Sequence, residues 1–321
     1  MKKKIAMFLG AFLVIYIFNF FIPRLMPGDP FRYTSAVSGE DIAEEYSEEQ
    51  LEKLRAYYGM DKSVPEQFLN TVKMNIQGDL GQSIHYKMPV SEVILSRLPW
   101  SLGIMGATLF VSLVTGVLLA LVSVRNKPMD RILYGMFSAI SEIPPFLIGL
   151  LFLFLVAAKV KWIPLSGGVT AFAKFDTTWE YLKDLFVHAM LPVLSLCIVT
   201  VPGFYFTSRA SFLTVLNKPY VLQGKAKGLT ERRIRIRYIL QNAVTPIVAK
   251  LFLSVSTVVG GTLLVENVFA YPGIGTIMRE SVRYRDYPMI QGVFLLSAVI
   301  VLVSMFLADV LNTSADRRTC R

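Results

Sequence analysis

The chain reads as an all-α protein that crosses a membrane six times, with a structured segment on one face after the first crossing and a short helical elbow on the other. Three observations predict this class. Of 321 residues, 54% are hydrophobic and 17% charged, against about 25% charged in a soluble domain. The apolar residues gather into six runs, roughly 5–22, 100–124, 132–158, 185–206, 247–265 and 289–311, each near the ~20 residues that a helix needs to cross a bilayer. The charges are sorted by segment: nine Lys/Arg and one acid lie between Arg209 and Lys250, whereas 26–98 holds twelve Asp/Glu and seven Lys/Arg. Buried helices of a large soluble protein seldom run this long without a charge.

The net charge of +10 would suit nucleic-acid binding if it formed one patch. Instead the basic residues recur at Met1–Lys4, 125–131, 209–246 and Arg317-Arg318, which alternate crossings place on a single face. Lys and Arg mark the cytoplasmic side of membrane proteins, so both termini are expected there. The first run follows a Lys-rich start but lacks a small-x-small cleavage pattern, and it reads as a retained helix. Its end begins an outer segment, 26–98. There, 42–58 is acidic with apolar Ile42, Tyr46, Leu51 and Leu54 on one face. A second helix starts at Val64-Pro65 with Phe68, Val72 and Ile76 aligned. Gly59 and Gly78 punctuate them. A segment this long is more than a connector.

The second to sixth runs form a five-helix core, 99–312, followed by a tail, 313–321. The loop 125–131 is short and cationic. The loop 159–184 carries Trp162 and Trp179, suited to interface anchoring. Pro144, Pro145 and Pro202 permit bending. Cys197 lies within the fourth run and Cys320 near the end, too far apart in depth for a disulfide. His85 and His188 stand alone, so no metal cluster is expected. Within the third run, Ser141 precedes Glu142. An ionisable residue in a span is costly and usually functional, so Glu142 and Ser141 are candidates for a transport path. The competing reading makes Glu142 a structural carboxylate beside the Pro144-Pro145 kink. Glu266 and Asp309, near span ends, read as interfacial or paired. Lys250, one turn inside the fifth helix, reads as snorkelling.

The elbow lies within 207–246. Asn217 can cap a helix with Pro219 in its first turn. Lys225 and Lys227 suit the last turn, and Gly228 suits the left-handed residue that ends it. Thr230 can cap the next helix. Tyr220, Val221 and Leu229 would be wasted apolar surface if the elbow were solvated. A helix of about ten residues is marginal alone, so this one must dock, on its own protein or on a partner.

These residues resemble the permease subunits of bacterial ATP-binding-cassette importers, in the dipeptide/oligopeptide/nickel branch. The segment Tyr220-Val221-Leu222-Gln223-Gly224-Lys225-Ala226-Lys227-Gly228-Leu229, with Asn242-Ala243-Val244-Thr245-Pro246 after it, is similar to that branch's EAA motif, with Leu222-Gln223-Gly224 replacing the literal Glu-Ala-Ala. Pro27-Gly28-Asp29-Pro30, Gly78-Asp79-Leu80-Gly81-Gln82-Ser83, Leu191-Pro192, Glu266 to Gly275 and Arg285-Asp286-Tyr287-Pro288 follow in the branch's order. The resemblance implies a coupling helix at 217–229 that meets an ATPase through Tyr220, Val221, Gly224, Ala226, Lys227, Gly228 and Leu229. It also implies an outer gate motif comprising Glu266, Tyr271, Pro272, Gly273, Gly275 and Asp286. The implied partners are a second permease, two cytoplasmic ATPase subunits and an extracytoplasmic solute-binding protein, within a lipid bilayer and without nucleic acid. ATP and Mg would sit on the partner subunits. This chain has no Gly-x-x-x-x-Gly-Lys-Ser/Thr loop to cradle phosphate and is expected to bind no cofactor, hold no metal and catalyse no reaction. The implied cargo is an oligopeptide or dipeptide, with nickel or a metallophore complex as the alternative. A secondary transporter would show inverted repeats with paired broken helices, and a membrane enzyme a nucleophile–base pair or metal ligands inside the spans; neither pattern occurs.

Overall fold

The computed structural model describes residues 2–26, 31 and 47–319. Among the described residues the regular structure is helical, with one isolated antiparallel bridge between Gln82 and Pro89. Five helices are long and apolar enough to cross a membrane: α1 (Lys2–Arg24), α4 (Val90–Ser123), α7 (Thr178–Leu216), α10 (Gln241–Val268) and α12 (Tyr287–Thr319). A sixth crossing is available if α5 (Lys127–Ile140) and α6 (Pro145–Phe152) count as one span bent by 93°.

That bend corrects the continuous third span expected from hydropathy. Pro144 has no N–H to give, and Pro145 drives it to an extended ψ of 134°, a conformation that the helix interior does not allow. Pro145 then occupies the first turn of α6, where a missing donor costs nothing. A π-helical turn, Leu153–Ala157, completes the segment.

Two helix boundaries also differ from the apolar runs. α4 starts at Val90, before residue 100, because Glu92 and Arg97 interrupt the hydropathy but not the helix. α7 is 39 residues long, about 58 Å at 1.5 Å per residue. It outruns a hydrocarbon layer of about 30 Å and carries the chain to Leu216, so the loop expected from 207 begins at 217, where the elbow was expected.

The chain forms two compact units, 1–101 with 272–299, and 102–271 with 300–321. In the first, α2 (Glu48–Tyr57) and α3 (Val64–Ile76) both start with capping boxes, Ser47 with Gln50 and Ser63 with Glu66, which satisfy otherwise orphaned N–H groups. Phe68 of α3 packs edge-on against Phe20 of α1, with centroids 5.1 Å apart, and Asn75 donates to the Tyr16 hydroxyl at 2.8 Å. Ile76, expected on the same face as Phe68, is 81% exposed, because the face turned to α1 ends at residue 75. Gly59 and Gly78 end the two helices with φ of 66° and 81°, as expected. The Ile42, Tyr46, Pro27–Pro30 and Cys320 readings fall outside the described residues.

In the second unit α4, α5, α6, α7 and α10 share a core. α4 meets α7 at Gly116, where a Cβ would lie 2.6 Å from Phe204 Cβ and 2.9 Å from the Tyr205 nitrogen. Only a hydrogen fits there, the close approach that small residues permit between membrane helices. Cys197 is buried and unbridged.

Candidate functional site

The elbow is built by a helix stop. α7 ends with Asn217, whose N–H bonds the Val215 carbonyl. α8 (Pro219–Ala226) begins two residues later, so Asn217 closes the preceding helix instead of capping the new one. Gly228 has a φ of 71°. This lets the Leu229 N–H reach back to the Gly224 carbonyl at 3.2 Å, the six-to-one bond of a Schellman stop. A single turn, α9 (Glu231–Arg233), and a π-helical turn, Ile234–Leu240, then lead into α10.

The elbow has two faces. Val221 is fully buried among Phe212 and Val215 of α7, Ile234 and Ile239 of the π turn, and Ala243 of α10, with Tyr220, Leu229 and Tyr238 packed against the cluster. A Cβ on Gly224 would touch the Tyr238 ring and Leu229 at 3.7 Å. The opposite face is open: Leu222 is 60% exposed, and Gln223, Ala226, Lys227, Gly228, Thr230, Arg232 and Arg233 are exposed beside it. The seven expected coupling residues therefore divide. Val221 and Gly224 seat the elbow on its own chain, Tyr220 and Leu229 flank them, and Ala226, Lys227 and Gly228 face outward. Leu222 and Gln223, outside the expected set, also face outward, since their i+1 and i+2 spacing from Val221 puts them on the far side of a helix whose inner side is Val221 and Gly224.

Beside this cluster a polar tie joins three helices. Arg209 of α7 grips Asp130 of α5 with both arms of its guanidinium, Nε to Oδ1 and Nη2 to Oδ2, each at 2.6 Å. The buried Tyr205 hydroxyl donates to Asp130 Oδ1 at 3.0 Å and lies 3.1 Å from Ser123 Oγ of α4. The Arg209 guanidinium also stands 5.1 Å from the Tyr134 ring centre. Hydropathy hid Asp130 inside a loop that reads as cationic.

Glu142 and Ser141 sit at the 93° break. Ser141 ends α5, its hydroxyl bonded to the Ser138 carbonyl at 3.2 Å. Glu142 is exposed and makes no hydrogen bond or ion pair among the described residues, so the structural-carboxylate reading finds no partner for it.

Glu266 and Tyr271 belong to the second unit, and Pro272, Gly273, Gly275 and Asp286 to the first. In the second, Glu266 is buried in the last turn of α10 and its carbonyl accepts the Tyr271 N–H at 2.8 Å. Burial, with the Glu266 carboxylate adding to it, pushes the Tyr271 phenol up to about 12, so it stays protonated. In the first unit, α11 (Ile274–Arg283) follows Gly273, and the Ile274 N–H bonds Ser101 Oγ at 2.8 Å. Gly275 is buried in that first turn.

Asp286 is the centre of the first unit's contribution. It is fully buried. Oδ1 accepts the Met289 N–H at 3.1 Å, capping α12, while Oδ2 accepts the Ser83 hydroxyl and, at 3.0 Å, the His85 N–H. Two stretches quoted separately from the sequence, Gly78–Ser83 and Arg285–Pro288, thus form one latch. His85 stacks on Tyr284, with centroids 3.8 Å apart at 9°, and Tyr86 donates to the Glu280 carboxylate. Burial, more than the hydrogen bond to Glu280, raises the Tyr86 phenol beyond its ordinary range. Burial lowers the His85 imidazole despite the opposing pull of Asp286 and Glu280. Among the described residues no group of three His, Cys, Asp or Glu could hold a metal.

A nearly all-helical chain with five or six apolar spans among the described residues, and a two-faced elbow between two of them, has the build of a polytopic membrane protein. The profile of the binding-protein-dependent transport system inner membrane component family matches residues 112–321, and the chain belongs to that family. It is 31% identical over 320 residues to the oligopeptide transport system permease protein AppB of Bacillus subtilis, covering 98% of this chain and 97% of the relative. It is 30% identical over 318 residues to the glutathione transport system permease protein GsiC of Pectobacterium atrosepticum (98% and 96% covered). It is 28% identical over 327 residues to the dipeptide transport system permease protein DppB of Escherichia coli (96% and 95% covered).

Proposed function

We propose that this chain is the membrane-spanning subunit of an ATP-driven importer of oligopeptides or dipeptides. The relatives' names favour peptide over nickel or a metallophore complex as cargo. In this reading a second permease completes the path, two ATPase subunits bind ATP and Mg on the cytoplasmic side, and an extracytoplasmic binding protein delivers solute. Both termini face the cytoplasm of the bacterial inner membrane. Glu142, at the break between α5 and α6, faces the path.

The observation that carries this reading is the two-faced elbow. Its inner side is welded to α7 and α10 through Val221. Its outer side presents Leu222, Ala226 and Lys227 to whatever sits beneath. A push on the outer face therefore moves the spans as a lever, because packed cores transmit displacement with little compression. ATP-driven closure of the ATPase pair would supply the push and alternate the access of the path.

Co-purification of the complex with its ATPase tests this. Leu222→Asp places a charge in the contact without touching the inner cluster, and is expected to reduce ATPase retention about tenfold or more at unchanged melting temperature. Val221→Ala is expected to destabilise the permease itself by about 2 kcal/mol. Full ATPase retention by both Leu222→Asp and Gly228→Pro would show that the engine docks elsewhere.

A further inference from the structure

Lys250 lies nine residues inside α10, about 13 Å from its first residue. The side chain lies across α7: a Cβ on Gly203 would stand 3.0 Å from Lys250 Cε and 3.1 Å from Nζ. Among the described residues the ammonium has neither a hydrogen bond nor an ion pair. An unpaired cation within a span is expensive and points to a functional role.

Hydroxyl side chains lie along both helices from this contact. On α7 the half-exposed Thr207 and Ser211 and the exposed Thr214 follow Gly203 toward the helix end, their hydroxyls each bonded to the carbonyl four residues earlier. On α10 the exposed or half-exposed stripe from Lys250 continues through Leu253, Thr257 and Gly260. By contrast, the exposed residues of α1 include Leu9, Leu13, Val14, Phe18 and Phe21, a surface for acyl chains. We propose that Lys250 is the anion-selecting residue of the transport path, engaging a carboxylate of the cargo between α7 and α10. The carboxylate assignment rests on the peptide reading above; the placement of an anion-attracting charge in the path does not.

The test uses the assembled transporter in proteoliposomes, with Cys197→Ala and Cys320→Ser as background. Thr257→Cys, or Gly260→Cys if the first fails to assemble, is labelled with anionic and cationic methanethiosulfonates. The anionic reagent is expected to react faster, and Lys250→Met to lower the anionic-to-cationic rate ratio about tenfold, with Lys250→Arg restoring it. No labelling at either cysteine, or a ratio that ignores Lys250→Met, overturns the proposal. In a second arm, uptake of a free-acid peptide relative to its amidated form is expected to fall in Lys250→Met. An unmoved uptake ratio beside a moved labelling ratio overturns the cargo contact. The labelling arm needs no cargo, so a wrong peptide assignment leaves it readable.

Discussion

At the scale of single residues, Asp286 has the widest reach. One carboxylate caps α12 and holds both Ser83 and the His85 backbone, with Asp286 and Ser83 fully buried. Asp286→Ala would remove a cap worth about 1 kcal/mol and strand two buried donors at about 1–3 kcal/mol each. A loss of several kcal/mol in thermal stability is expected, with Asp286→Asn recovering part of it because the amide oxygen can still accept. The neighbouring His85 makes the same latch pH-sensitive. Its folded imidazole binds protons less readily than the unfolded one, so the unfolded state gains protons first as pH falls. The latch is therefore at full stability above about pH 6.5 and loses it as pH drops through the lowered value. Protection factors of the 83–86 amides, with the intrinsic pH dependence of exchange divided out, should fall between pH 7.5 and 5.5, and His85→Phe should flatten that dependence.

At the scale of elements, α5, α7 and α4 are held together by Asp130, Arg209, Tyr205 and Ser123. Bidentate guanidinium–carboxylate pairs are stronger and more directional than single contacts. The partners are each about a fifth to a quarter exposed, which places this pair above an ordinary surface ion pair without the full desolvation cost of burial. A double-mutant cycle on Asp130→Asn and Arg209→Gln is expected to give a coupling energy of about 1–3 kcal/mol, read from thermal unfolding in detergent. Independent effects would mean that the tie contributes nothing beyond its two ends. The elbow shows which part of an element is legible in a sequence. Gly228 and its helix stop were, since only a left-handed residue closes a Schellman turn cheaply. The sidedness of Val221 and Leu222 was not, because α8 is eight residues long and apolar on both sides. Asn217 was misread for a related reason: a good capping residue precedes α8, but α7 runs on far enough to absorb it.

At the scale of the whole molecule, the spans follow from hydropathy and their shapes do not. The bent pair α5–α6 carries Glu142 at its break, an unpaired carboxylate among the described residues. In the importer reading, Glu142→Gln is expected to lower uptake of cargo with a free amino terminus several-fold while ATPase assembly is kept. Unchanged uptake of every cargo would remove Glu142 from the path. Five of the spans and the segments between them were legible from composition and spacing, because the bilayer imposes one length and one polarity on every span. Tertiary structure alone decided that Gly78–Ser83 meets Arg285–Pro288 at a single carboxylate, that Asp130 finds Arg209, and that Lys250 lies across Gly203. These contacts join residues from 47 to about 200 positions apart, and a lipid-facing and a protein-facing apolar helix look alike in sequence until neighbours cover one side.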